Sequence, residues 1–166
     1  MAEWASIFAQ NALGVSKVIG DMAGPCAFAL FMATGRVLYA KFSKKVSFTK
    51  LLVILNIFGF ICYMVVAICK MPFVALVFCA VCGVTVSISW PGIYSAGART
   101  FTTGGAVMFS VFAMCGDTGC ALGPWLIGFL ADKFSLNLGF AVASVFPLIM
   151  VLCGLYILKT RSCKSK

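Results

Sequence analysis

The sequence predicts an all-α integral membrane protein: five antiparallel transmembrane helices preceded by an N-terminal half-helix. Three observations carry that prediction. Apolar residues make up 63% of the 166 and charged residues only 10%, against roughly 45–50% and about 25% in a soluble domain. Mean hydropathy is +1.10. The charges stand between long apolar runs of about the 20 residues that a helix needs to cross a hydrocarbon core of roughly 30 Å.

The first run extends from Val18 to Tyr39, with Asp21 at one end and Arg36 at the other. Leu51 to Cys69 gives a second span of nineteen uncharged residues. Met71–Ala98, Gly104–Ala131 and Phe134–Leu158 follow. Every connection is short, so consecutive helices must run antiparallel. Residues 17–159 thus form the bundle and 160–166 a basic tail. Residues 1–16 are the odd piece, because "EWASIFAQNALGVS" is too short to cross. It is either an interfacial segment or the outer half of a helix, and the missing basic flank favours the half-helix. A secretory signal is not expected, since residues 1–16 open without a basic region and carry Glu3.

Lys and Arg collect on the cytoplasmic side of membrane proteins. Arg36, Lys41, Lys44, Lys45, Lys50, Arg99, Lys159, Arg161, Lys164 and Lys166 fall on one side, leaving Lys17, Lys70 and Lys133 on the other. Ten against three places the C-terminus in the cytoplasm, in a multi-pass protein of the plasma membrane whose first partner is the lipid bilayer.

Composition also excludes functions. With no His and four acids, a metal centre or a carboxylate-pair hydrolase has little to be built from, and no cofactor is expected. The net charge of +9 does not imply nucleic acid, because the bases punctuate apolar runs and form no soluble patch. Eight of the nine Cys lie in or beside those runs, where a free thiol acts as a small hydrophobe. Cys79 and Cys82 have redox-motif spacing without the basic neighbours that activate a thiol, so packing is the expected role over membrane thiol chemistry.

Asp117 is the only charged residue among the 32 from Thr100 to Ala131. It lies thirteen residues after Gly104 and fourteen before Ala131, near mid-membrane, where a charge costs about 2.5–3.5 kcal/mol on insertion scales. The roles to weigh are proton carrier, solute contact, or a hydrogen bond to a neighbouring helix. Gly116, Gly119 and Gly123 at i, i+3 and i+7 make a smooth stripe for close helix packing, and Pro124 removes one helical hydrogen bond. In the third span Gly83, Ser87, Trp90 and Tyr94 share a face. Trp90 and Tyr94 offer stacking area with a polar handle, suited to a sugar or a small aromatic solute, or else to an interfacial belt. Pro91-Gly92 beside them should kink or unwind the helix, and broken helices mark transporter sites. Asn56 is expected to hydrogen-bond a neighbouring helix, and Arg36 to reach out to the interface.

"GCALGPWLIGFLAD", residues 119–132, resembles the fifth or eleventh helix of major facilitator superfamily transporters in Gly119, Gly123, Pro124 and Gly128. "MATGRVLYAKFSKK", residues 32–45, is similar to the family's cytoplasmic loop signature. Lys41, Lys44 and Lys45 match its basic positions, while Arg36, Ala40 and Ser43 stand where it has Gly, Asp and Gly. "GDMAGPCAFALF" and the "EWAS" opening look most like the fucose-permease-like branch. The resemblance implies a partial major facilitator fold, helices eight to twelve with the end of helix seven. It further implies a missing N-terminal half as partner, a small-molecule solute, and alternating access in which these spans alone are inactive. Glu3 would wall the solute cavity, because helix seven lines it in that family. The rival reading is a small non-transporting membrane protein that assembles with or regulates a partner through its glycine stripe.

Overall fold

The computed structural model describes residues 4–7, 10, 14, 16–42, 47–69, 71–101 and 103–164. All regular structure among them is α-helical: α1 (Lys17–Phe42), α2 (Phe48–Ile68), α3 (Pro72–Val86), α4 (Ser89–Thr100), α5 (Gly105–Lys133), α6 (Leu136–Ala143) and α7 (Val145–Lys164). α3 with α4, and α6 with α7, each make one span, so five segments are long and apolar enough to cross a membrane. The expected spans are all present, with ends shifted by a few residues.

Local chemistry explains most boundaries. Pro72 opens α3, where its missing N–H costs nothing. The Ser135 hydroxyl caps α6 by accepting the Leu138 amide at 3.3 Å. The fifth span is interrupted at Ser144, three residues before Pro147. Ser144 Oγ donates to the Ala141 carbonyl at 2.7 Å. The third span breaks at Ser87–Ile88.

The helix α2 is central, packed against α3, α6 and α7, while α1 lies on α3 and α5 on α6. Two glycines set the α1–α3 crossing. A side chain on Gly83 would strike the Phe28 carbonyl, and one on Gly35 would lie 2.5 Å from Ser87 Oγ. Only bare backbone fits. The main core cluster sits at the end of the bundle where α2 stops and α3 and α6 begin, around Val66, Ala75, Cys79, Ile127 and Phe140. Residues 4–7 are helical and join it. Ala5 is fully buried, seated on Gly24, and the Trp4 ring meets Phe140 edge-on at 6.4 Å.

One polar expectation is corrected and another gains a contact. Asn56 donates to the Leu52 carbonyl of its own helix at 2.8 Å, so α2 satisfies its amide without a neighbour. Arg36 is exposed, and its Nε donates to the Ser87 carbonyl at 3.3 Å, across the α1–α3 crossing.

Candidate functional site

The two aromatics proposed from sequence do come together, on α4. Trp90 and Tyr94 stack at 5.1 Å with 20° between their planes. They face α5, which runs antiparallel to α4. Tyr94 stacks on Phe109 at 5.7 Å and meets Phe112 edge-on at 5.8 Å. The rim of the Trp90 ring occupies the space where a Gly116 side chain would stand, and the Phe112 ring does the same at Gly97. The result is an aromatic ladder that stops at Gly116, with Asp117 the next residue. Trp90 remains 42% exposed, so part of its indole is open at the head of the ladder.

Asp117 is exposed on α5, and among the described residues it has no hydrogen-bond or ion-pair partner. Gly119 and Gly123 are open as well, since a methyl group on either would meet nothing within 4 Å. The stripe therefore divides: Gly116 receives Trp90, and the other two glycines face away from this bundle. Pro124 lies inside an unbroken α5.

Ser87 does not join the aromatics. It is 1% exposed, turned to Gly35 of α1, and its hydroxyl donates to the Val84 carbonyl at 2.7 Å. It borders a partly open cavity of about 200 Å³ between α1, α2 and α3, almost entirely apolar and lined by Tyr39, Leu51, Leu55 and Ile88. Arg36 and Lys41 belong to α1 and not to a connecting loop. Glu3, Lys44 and Lys45 lie outside the described residues.

A polar cluster marks the opposite end of α1. The Ser6 hydroxyl donates to Asp21 Oδ1, and Gln10 Nε2 donates to Ser6 Oγ at 3.2 Å. Nearby, Trp4 Nε1 is buried with no partner among the described residues. Cys79 and Cys82 are 0% and 1% exposed, out of reach of any substrate thiol. The sequence reading missed Phe109 and Phe112. Their signal was present: with Gly116 they fall at i, i+3 and i+7, one face of α5.

The sequence model of the BT1 family matches residues 67–166. That stretch holds α3 to α7, including Trp90, Tyr94, Asp117 and the break at Ser87–Ile88. No curated protein and no solved structure matches the chain.

Proposed function

The chain belongs to the BT1 family, a transporter-type family in the major-facilitator-like group, and from that premise we propose that it supplies one helical bundle of a carrier that moves a small solute across the plasma membrane by alternating access and is inactive without the other. It is a multi-pass membrane protein of transporter type; the fucose-permease-like branch is not what the match names. The observation that carries the proposal is the half-open Trp90 ring at the head of a packed ladder, beside a mid-membrane carboxylate. The ladder holds Trp90 rigid, so a solute can stack on it at little entropic cost. Asp117 then serves as a proton carrier or as a polar contact to the solute. The second helical bundle that alternating access requires would face α5.

The test is uptake of a panel of labelled small solutes by cells that express the protein together with a complementary helical bundle from a transporter of the same family. With any solute the wild type takes up, Trp90→Ala should cut uptake about tenfold, the equivalent of about 1.4 kcal/mol of lost stacking. Trp90→Phe should retain most of it, and Trp125→Ala should change little. Equal uptake by Trp90→Ala and wild type would remove Trp90 from the site. The reading as an assembly partner draws on the open Gly119 and Gly123. It predicts indifference to Trp90 and loss of complex formation in Gly123→Leu.

Orientation is proposed from the ten-to-three distribution of bases, with the C-terminus cytoplasmic. Single Cys reporters at Ser135 and Ser47, in a background without native Cys, separate the two ends of the bundle. On intact cells a membrane-impermeant maleimide should reach Ser135, and Ser47 only after permeabilisation. The reverse pattern inverts the topology. Labelling of neither site in intact cells would deny the plasma membrane.

A further inference from the structure

The break between α3 and α4 leaves one backbone carbonyl in need of a donor. Pro91 has no N–H, so it cannot bond the carbonyl four residues back, which is Ser87. Two neighbouring carbonyls at the break are served locally. The Val84 carbonyl accepts from the Ser87 amide at 3.3 Å and the Ser87 hydroxyl at 2.7 Å, and the Ile88 carbonyl accepts from Gly92 at 2.9 Å. The Ser87 carbonyl accepts from Arg36 Nε, 51 residues away in sequence, at 3.3 Å. In lipid a backbone group without a partner is costly, so the replacement donor decides whether the break is held or free.

The packing explains how an arginine reaches this carbonyl. Gly83 and Gly35 let α1 and α3 approach backbone to backbone, with Gly35 directly against Ser87. Arg36 follows Gly35, so its side chain starts one residue from the contact. Below the break, α4 carries Trp90 and Tyr94 against α5. The angle at Ser87–Ile88 therefore sets where the two rings stand.

We propose that Arg36 is a positioning residue: by capping the carbonyl that Pro91 leaves free, it latches a hinge at Ser87–Ile88 and fixes the α4 aromatics. Its consequence for transport rests on the proposed role of Trp90 and Tyr94, but the latch itself is tested without any solute. Hinges are a few element-terminal residues that absorb backbone change, and Ser87 and Ile88 occupy that place between two otherwise regular helices.

The experiment is hydrogen exchange by mass spectrometry on the full chain in detergent, following the amides of Gly92 to Gly97. Arg36→Met keeps length and removes the donor. Arg36→Gln keeps an N–H at the same reach and removes the charge. Loss of a charge-assisted hydrogen bond should speed α4 exchange about tenfold or more in Arg36→Met, and Arg36→Gln should stay within about threefold of wild type. Pro91→Ala restores a helical donor to the Ser87 carbonyl. In that background Arg36→Met should have no effect, and if Arg36→Met folds only in that background the latch is equally supported.

Three results would overturn the proposal. One is unchanged α4 exchange in Arg36→Met. Another is equal behaviour of the Met and Gln variants, which would make Arg36 an interfacial charge. The last is the same Arg36→Met effect, or the same failure to fold, with and without Pro91. None of these bears on the Trp90 uptake test, so the latch and the solute site stand or fall separately.

Discussion

Replacing Asp117 by Asn is expected to abolish uphill accumulation of the solute and leave downhill exchange near the parental rate. Asp117 lies near the middle of α5, twelve residues after Gly105 and sixteen before Lys133. Helix insertion does not favour an acid there, and among the described residues no hydrogen bond or ion pair compensates it. A structural carboxylate would have found a partner in the bundle. Asn has nearly the same size and hydrogen-bonding reach but cannot titrate. A proton-coupled carrier with Asp117→Asn can still bind solute and change conformation, while its cycle no longer draws on the proton gradient. The accumulation ratio, measured with an inward proton gradient in proteoliposomes that hold this chain together with a complementary helical bundle, should fall to about one, the uncoupled limit. Unchanged accumulation would remove Asp117 from coupling. Loss of exchange together with accumulation, in a variant that keeps the wild-type melting temperature, would make it a solute contact instead. Because the wild-type carboxylate is unpaired in this bundle, the variant should melt no lower than the parent, and a clear drop would mark a structural role.

The spans were legible in the sequence because charges bracket them and the connections are too short for anything but antiparallel neighbours. The interruptions were legible only in part. Pro91-Gly92 marks a distortion, but the break falls one turn earlier, at Ser87–Ile88, because a proline's missing hydrogen bond is felt four residues back. Proline alone is no sufficient sign, since Pro25 and Pro124 lie inside unbroken α1 and α5. At Ser87 the difference is the company: a serine hydroxyl that competes for the Val84 carbonyl, and Arg36 as a replacement donor. That donor could not be read from sequence. It depends on the rotation of α1 against α3, which Gly35 and Gly83 set through contacts between distant residues. Phe109 and Phe112 were hidden for another reason. Lipid and core both accept phenylalanine, so in a membrane helix an apolar residue does not announce which way it faces. Trp90, Tyr94 and Asp117 stood out because polar atoms are what a bilayer makes conspicuous.

Residues 1–166 reconstituted alone in liposomes are expected to show no saturable, gradient-driven uptake. The reason lies on α5. None of its most apolar window is buried, its C-terminal half rests on α6 and the core around Ile127, and the aromatic ladder joins it to α4. Asp117, Gly119 and Gly123 are left on open helix surface. A solute stacked on Trp90 would have protein on one side and lipid on the other. Alternating access needs two bodies that move about a shared site and seal it in turn, and these helices form a single packed set with α2 at its centre. Glycine surfaces gain their association energy from close backbone approach, which lipid chains cannot supply, so the isolated bundle should also self-associate or accumulate poorly in cells. Co-expression with a complementary helical bundle from a transporter of the same family should raise both abundance and uptake. Gly123→Leu should block that rescue by filling the surface where the second bundle docks. Saturable uptake by residues 1–166 alone would refute the two-bundle requirement as stated. If crosslinking through Cys120 then joined two copies face to face on α5, the second body would be another copy of this chain.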